Sequence, residues 1–269
     1  MANPVIRIRD VGVVYRTGRG DTTLTALEKV SLDVYPGELV TVIGPSGCGK
    51  STLLNAVGGL LKPTEGSIYI FGEPVNGPLP RKVAMVFQQY TLFPWRTILE
   101  NVEVGLEFQG VPKKVRREVA LKELAMVGLK GFEDYYPRQL SGGMKQRVAI
   151  ARALSLSPEI LLMDEPFGAL DEQTRMILGE ELSRILERTG KTIFFVTHSL
   201  GEAVYLSDRI AVMTARPGKI KEMVTVDLPR PREPKMMTSD KFDKVRNLLF
   251  ELLHDESRRA MEFGSEVRG

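Results

Sequence analysis

Cysteine is almost absent from this sequence, and histidine is scarce. Among 269 residues there is one cysteine, Cys48, and there are two histidines, His198 and His254. A lone cysteine cannot close an internal disulfide or build a cysteine-based zinc site, so both of these are excluded. A protein of a reducing compartment is the simplest interpretation.

The sequence also lacks a strong net charge and long apolar runs. Its 37 basic and 34 acidic residues leave a net charge of +3, which does not favour a general binder of nucleic acid or of membrane surfaces. No apolar run approaches the ~18 residues of a membrane span. The opening MANPVIRIRD has no apolar segment of the kind found in secretory signals. We therefore expect any role at a membrane to depend on a partner protein.

Short apolar runs alternate with segments of helical periodicity along most of the chain. Near the start, Val30, Leu32 and Val34 alternate with polar residues, which predicts a strand with one buried face. Buried strands are predicted at residues 39–44, 83–87, 159–163 and 192–197, and helices at residues 53–61, 172–189 and 240–261. Strands that alternate with helices predict an α/β fold with a mostly parallel core sheet. The helical stretch between the second and third of these strands is interpreted as an inserted subdomain.

The segment GPSGCGKST follows a predicted strand and precedes a predicted helix, and it matches the phosphate-binding P-loop pattern. Glycines allow its backbone N–H groups to converge on α- and β-phosphates. Lys50 would neutralise the β- and γ-phosphates, and Ser51 would offer a hydroxyl to Mg²⁺. We interpret Cys48 as a small residue that fills the loop. The predicted nucleotide-binding residues here are Gly44, Pro45, Ser46, Gly47, Cys48, Gly49, Lys50, Ser51 and Thr52.

Two carboxylates, Asp164 and Glu165, follow the predicted strand at 159–163. The carboxyl ends of strands in such a sheet are where ligands bind. Asp164 is predicted to hold Mg²⁺, and Glu165 is predicted to polarise the water that attacks the γ-phosphate. Solvated carboxylates at the start of a loop are the structural alternative.

Two further polar residues stand at predicted strand ends. His198 follows the strand at 192–197 and is predicted to sense the γ-phosphate and fix the attacking water. Gln88 follows the strand at 83–87 and is predicted to be a neutral ligand of Mg²⁺ and water, although Gln89 beside it competes for this role. His254, among charged residues, is interpreted as a surface residue.

A second anion-binding pattern, LSGGMKQR, occupies residues 140–147. A serine and two glycines at a helix start leave backbone N–H groups unpaired at the positive end of the helix dipole. This site would serve either the chain's own P-loop or the nucleotide of a second copy. The alternative is an ordinary capped helix with Lys145, Arg147 and Arg152 in solvent and a buried stripe of Met144, Val148, Ala151 and Leu154.

In order and spacing, these motifs resemble those of the ATP-binding cassette (ABC) ATPases over nearly the whole chain. The resemblance implies that Ser141, Gly142 and Gly143 are the signature motif, which contacts the γ-phosphate of ATP across a homodimer interface. It also implies that Asp171 belongs to the D-loop and that Tyr15 stacks on adenine. Gln88, Asp164, Glu165 and His198 match the family's Q-loop, Walker B pair and switch histidine. Ser199 departs from the family, where aspartate is common.

The resemblance further implies a P-loop NTPase fold of the ABC type, with an N-terminal antiparallel β subdomain. The ABC ATPase domain is expected at residues 5–228, with the helical subdomain at about 89–157. A Pro-rich linker and a C-terminal helix are expected at residues 229–269.

The segments FPWRTILENV, DEPFGALDEQTR, RPGKI and PRPREP resemble the ATPase subunits of nitrate, sulfonate, taurine and bicarbonate importers. This implies an ATP hydrolase with a permease dimer and a solute-binding receptor as partners, at the cytoplasmic face of the membrane and without nucleic acid. The permease would dock near Gln88 and Trp95; alternatively, Phe93 and Trp95 only pack the helical subdomain. An exporter or lipid-handling ATPase, and an ABC ATPase outside transport, remain alternatives.

Overall fold

The computed structural model describes residues 3–16 and 23–266, with side chains up to residue 260. The chain divides into two compact units. The first unit comprises Met1–Leu79 and Lys191–Gly269, and the second comprises Pro80–Gly190. The predicted helical subdomain at residues 89–157 lies inside the second unit.

An antiparallel sheet of four strands forms the start of the first unit. Its strands, in spatial order, are β2 (Thr23–Val34), β1 (Ile6–Arg16), β4 (Glu65–Ile70) and β5 (Glu73–Pro74). Val30, Leu32 and Val34 of β2 are buried, which confirms the alternation predicted from the sequence. The predicted antiparallel β subdomain is thus present.

The first unit also holds four strands of a mixed, mostly parallel sheet. They are β3 (Leu39–Ile43), β8 (Thr192–Val196), β9 (Arg209–Met213) and β10 (Ile220–Thr225). β3 pairs in parallel with β8 and with β9, and β10 pairs antiparallel with β9. Every residue of β3 and β8 is buried, as expected for strands covered on both faces.

Three helices accompany these strands: α1 (Lys50–Val57), α6 (Leu200–Leu206) and α7 (Asp240–Glu266). The predicted extension of α1 to residue 61 is wrong. Gly59 has φ +71°, and the N–H groups of Leu60 and Leu61 both bond to the carbonyl of Asn55. The glycine therefore ends the helix in a left-handed turn before the apolar pattern ends.

The second unit combines a parallel strand pair with four helices. The strands are β6 (Val83–Val86) and β7 (Ile160–Asp164). The helices are α2 (Ile98–Phe108), α3 (Lys113–Met126), α4 (Gly142–Ser155) and α5 (Glu172–Thr189). α2, α3 and α4 pack against one another. The two units together confirm the predicted α/β class.

The chain after β10 is anchored to the first unit rather than loose. Arg232 is buried and donates to the carbonyl of Ser207, and Arg230 pairs with Asp208 at 2.9 Å. α7 then buries Phe242, Leu249 and Glu256 at heptad spacing. Within residues 3–16 and 23–266, no helix has the length and apolar character needed to cross a membrane.

Candidate functional site

The loop between β3 and α1 depends on glycines. Gly47 and Gly49 have φ angles of +75° and +106°, a region that side chains with a Cβ rarely adopt. A Cβ on Gly49 would also lie 2.6 Å from Cδ2 of Leu27 and 3.0 Å from the carbonyl oxygen of Ala26. The loop therefore takes this path only with glycine at both positions.

Lys50 lies inside this loop and is only 6% exposed. Its Nζ donates to the carbonyl oxygens of Gly44 at 3.0 Å and Pro45 at 3.2 Å. These bonds offset the cost of burying an ammonium group. The first residue of α1 thus holds a fixed positive charge within the loop.

Cys48 is 1% exposed, and its sulfur would lie 2.7 Å from a Cβ placed on Gly44. Burial raises the pKa of the Cys48 thiol, and the charge of Lys50 and the backbone N–H groups nearby offset only part of that rise. The raised pKa keeps the thiol protonated at neutral pH, and its burial agrees with the interpretation of Cys48 as a small residue that fills the loop.

Tyr15, near the end of β1, stands beside α1. Its hydroxyl lies 3.3 Å from Oγ1 of Thr52, and 38% of the residue is exposed. A partly exposed aromatic ring beside a phosphate-binding loop is suited to stacking on a flat heterocycle.

His198 follows β8 and is exposed. The next residue, Ser199, caps α6 because its side chain accepts a hydrogen bond from the N–H of Glu202 at 3.3 Å. Ser199 N–H in turn donates to Oγ1 of Thr197 at 3.0 Å. Serine and aspartate are similarly good caps, so the departure at Ser199 preserves the local structure after the histidine.

In the second unit, Gln88 and Glu165 lie side by side. Nε2 of Gln88 is 3.4 Å from Oε2 of Glu165, and the carbonyl of Glu165 accepts from the N–H of Gly168 at 3.0 Å. Glu165 has φ +42°, a strained conformation of the kind that clusters at functional sites. Asp164, the last residue of β7, directly precedes it. The structure thus brings Gln88 and Glu165 together, with Asp164 next to Glu165 in the chain.

The segment of residues 140–147 contains the start of α4, and a side chain caps the helix there. Ser141 is the N-cap, and its Oγ accepts from the N–H of Met144 at 3.3 Å. A Cβ on Gly142 would lie 3.0 Å from the hydroxyl of Tyr90, and one on Gly143 would lie 2.7 Å from Cγ2 of Thr174. These glycines allow the start of α4 to approach the start of α5 closely.

Asp171 caps α5 beside this point. Oδ1 accepts from the N–H of Thr174 at 2.9 Å, and Oδ2 accepts from its hydroxyl at 2.8 Å. These bonds lower the pKa of Asp171, so the carboxylate is ionised throughout the physiological range. Gly143 and Asp171 thus both adjoin Thr174.

The predicted solvation of Arg147 and Arg152 on α4 is wrong. Arg147 pairs with Glu181 at 2.8 Å. Arg152 donates to the carbonyls of Tyr90 at 3.0 Å and Thr91 at 2.8 Å. A charged residue on a helix is expected to face solvent when no partner is near in the sequence. Glu181, Tyr90 and Thr91 are distant from these arginines in the sequence, so the pattern of α4 gave no sign of the contacts.

A loop that is hydrogen-bonded to Asn101 presents aromatic residues near the start of α2. Trp95 is 72% exposed, its ring lies 5.6 Å from that of Phe93, and the guanidinium of Arg96 lies 5.6 Å from the Phe93 ring. The fully buried Asn101 accepts from the N–H of Phe93 and donates to the carbonyls of Phe93 and Arg96. Sequence reasoning missed Asn101, although a polar residue on an apolar helix face was a usable signal.

The predicted site residues divide between the two units. The first unit holds Tyr15, the P-loop residues 44–52 and His198. The second unit holds Gln88, Ser141, Gly142, Gly143, Asp164, Glu165 and Asp171. The glycine loop with its buried lysine thus belongs to the first unit, and the strained Glu165 and the helix caps Ser141 and Asp171 belong to the second.

Residues 27–168 match the family described as "ABC transporter". An uncharacterized ABC transporter ATP-binding protein of Methanocaldococcus jannaschii is 56% identical over 88% of this chain and 87% of its own length. The nitrate import ATP-binding protein of Synechocystis sp. is 47% identical over 87% of each chain. The aliphatic sulfonates import ATP-binding protein of Bacillus cereus is 47% identical over 83% of this chain and 86% of its own.

Solved structures agree with these sequence similarities. A dimeric ATP-binding cassette in a post-hydrolysis state, bound to ADP and Pi, superposes with a TM-score of 0.74 at 38% identity. The match covers 83% of this chain and all of that one. Because both the sequence and the fold match along most of the chain, this protein belongs to the ABC transporter family and is an ABC-type ATPase.

Proposed function

We propose that this protein is the ATP-hydrolysing subunit of an ABC importer. Two copies close on ATP, and their closure and separation drive a separate membrane permease. The solute is a small ion of the nitrate, sulfonate or taurine kind, delivered by a solute-binding receptor. The ATPase works at the cytoplasmic face of the membrane, attached through the permease. Residues 5–228 are assigned to the ATPase domain, and residues 229–269 to its C-terminal extension.

The observation that carries the importer role is the exposed Trp95 on the loop that is hydrogen-bonded to Asn101. Aromatic side chains are typical hot spots of protein interfaces, and binding is favoured when the loop that carries them loses little conformational entropy on association. Asn101 holds the backbone on both sides of Trp95 through Phe93 and Arg96. Two relatives, the nitrate import and the aliphatic sulfonates import ATP-binding proteins, support a solute of this class.

In this proposal the P-loop residues bind the nucleotide phosphates. Backbone N–H groups around Gly47 and Gly49 face the α- and β-phosphates, Lys50 neutralises the β- and γ-phosphates, and Tyr15 stacks on adenine. The fixed position of Lys50 matters because phosphoryl transfer depends on positioning and charge compensation more than on covalent chemistry.

The carboxylate Glu165 accepts a proton from the attacking water, and His198 fixes that water against the γ-phosphate. Gln88 contacts Glu165 through its amide nitrogen and so orients the base. The oxygen donors Ser51, Gln88 and Asp164 fit Mg²⁺, which prefers such ligands. Held by these residues, Mg²⁺ would supply positive charge for the phosphate groups.

The signature residues serve the ATP of the second copy in this proposal. Ser141 is exposed and stands at the positive end of the α4 dipole, where an anion is stabilised. Gly142 and Gly143 follow it in the first turn of α4, where backbone N–H groups have no partner within the helix and can bind an anion. Loss of the γ-phosphate on hydrolysis then removes the contact that joins the two copies.

Co-purification tests the importer role. The chain is tagged, the source membranes are extracted in mild detergent, and the bound proteins are identified by mass spectrometry. We expect a multi-span permease at about one copy per ATPase. Trp95→Ala should lower this recovery strongly, while Phe108→Ala, which alters another exposed aromatic (76% exposed) of the same unit, should not. Recovery only with ribosomal or DNA-associated proteins would refute the proposal.

A further inference from the structure

We propose that Arg216 is a positioning residue for the P-loop, and that Glu256 of α7 holds Arg216 in place, so that the C-terminal helix sets nucleotide affinity. All of these residues belong to the first unit. The inference rests on the proposed assignment of the P-loop to nucleotide phosphates.

Arg216 fixes one peptide of the P-loop. Its Nε and Nη2 both donate to the carbonyl oxygen of Gly47, at 3.1 Å and 2.8 Å. At the other end of the same peptide, the N–H of Cys48 donates to the carbonyl of Pro45 at 3.3 Å. The plane of the Gly47–Cys48 peptide is therefore held from both sides. This peptide lies next to Gly49 and Lys50, so its orientation determines where the following N–H groups point.

The loop that carries Arg216, residues 214–219 between β9 and β10, is itself anchored beside the P-loop. The N–H of Gly218 donates to the carbonyl of Ala26 at 2.9 Å, and the carbonyl of Gly218 accepts from the N–H of Glu28 at 3.0 Å. A Cβ on Gly218 would lie 2.1 Å from the carbonyl oxygen of Cys48. The backbone of this loop thus approaches the P-loop as closely as glycine permits.

Glu256 connects α7 to the same loop. Its side chain is 3% exposed. Oε2 accepts from the N–H of Ala215 at 2.9 Å, and Oε1 accepts from Nζ of Lys221 at 2.9 Å. Burial alone would raise the pKa of Glu256, but these donors outweigh it and hold the pKa below its ordinary value. α7 thus directs a buried carboxylate at the backbone immediately before Arg216.

A cleft of about 500 Å³ separates α7 from the P-loop at this point. Ser46 and Gly47 line one side of it, and Glu256, Arg259 and Ala260 line the other. Because the cleft lies between the helix and the P-loop, α7 acts on the P-loop through Ala215 and Arg216. A change in α7 that shifts Glu256 would therefore release the Gly47 carbonyl without touching the nucleotide.

Binding of ADP with Mg²⁺, measured by isothermal titration calorimetry, tests the inference, because ADP reports on the P-loop without hydrolysis. Arg216→Met and Glu256→Ala should each weaken ADP binding about tenfold, the size expected for loss of a charge-assisted hydrogen bond. The double variant should be no weaker than either single one, since both changes break one chain of contacts. Lys219→Met is the matched control: it removes a cation from the same loop, but Lys219 pairs with the exposed Glu28, so affinity should be retained.

Thermal unfolding without nucleotide separates positioning from simple stabilisation. Unchanged ADP affinity in folded Arg216→Met and Glu256→Ala proteins, or additive losses in the double variant, would overturn the inference. If either variant fails to fold, Arg216→Lys and Glu256→Gln replace them. Arg216→Lys should recover part of the ADP affinity. Glu256→Gln should recover most of it, because the amide oxygen can still accept from the N–H of Ala215. ADP affinity equal to that of the unmodified protein in a folded Arg216→Gln protein would also contradict the inference. Failure of the unmodified protein to bind ADP would instead refute the proposed nucleotide site.

Discussion

The amide Nε2 of Gln88 lies 3.4 Å from the carboxylate Oε2 of Glu165. This contact joins the ends of two neighbouring strands, β6 and β7, and pairs a neutral polar group with the candidate base. Glu165 holds this position at a positive φ, so the geometry is maintained at a cost in backbone energy of about 1–3 kcal/mol.

Glu165→Gln should retain ATP binding and lose hydrolysis by at least ~100-fold, because an amide cannot accept the proton of the attacking water. Phosphate release under single-turnover conditions measures the rate, and size-exclusion chromatography with ATP should show a long-lived dimer. Normal turnover in this variant would mean that another residue is the base.

Lys50→Ala should abolish tight ATP binding. The substitution removes the charge for the phosphates and also the bonds from Nζ to Gly44 and Pro45 that shape the loop. Equilibrium binding of a fluorescent ATP analogue is the measurement, and Lys62→Ala, a lysine beyond α1, is the control. Retained affinity in Lys50→Ala would contradict the assignment of the P-loop.

Ser141→Arg should leave ATP binding to each chain intact but prevent dimerisation, because a long side chain would then fill the position that we propose faces the nucleotide of the second copy. Light scattering with ATP in the Glu165→Gln background measures the dimer. Ser141→Ala separates the loss of the helix cap, about 1 kcal/mol, from the steric effect, and this variant should still dimerise. A dimer of unchanged affinity in Ser141→Arg would exclude the cross-copy role.

Ser199→Asp should leave both the stability and the ATPase rate nearly unchanged, since aspartate can accept the same hydrogen bond from the N–H of Glu202. Ser199→Ala should lower the free energy of unfolding by about 1 kcal/mol, as measured by urea denaturation. Equal stability of the serine and alanine proteins would show that the cap contributes nothing.

Cys48 should react slowly with a thiol reagent in the native protein at pH 8 and rapidly in guanidinium chloride. Burial both shields the sulfur and raises the pKa of the thiol, so little thiolate is present below the raised pKa, and reactivity should increase as the pH rises through it. Absorbance of the released chromophore follows the reaction. Rapid native labelling of this single thiol would show that the loop opens frequently.

Local chemistry explains what could be predicted from the sequence. α5 begins at Glu172 and ends at Thr189, as predicted, because its signals are adjacent: Asp171 caps the start, and Gly190, with φ +60°, ends it. The P-loop is equally local, since its glycines, lysine and serine stand at fixed spacing within residues 44–52. The family assignment follows from several such motifs in one order.

Tertiary structure decided which partners several charged side chains have. Arg216 and Gly47 are 169 residues apart in the chain, and Ala215 and Glu256 are 41 apart, so no periodicity or motif indicated that they would meet. Arg147 and Arg152 were assigned to solvent for the same reason. The sequence by itself therefore determined the fold class, the phosphate-binding motifs and the family. The folded chain alone determined which distant side chains hold the P-loop in position, because hydrogen bonds between remote residues depend on packing that short-range patterns do not record.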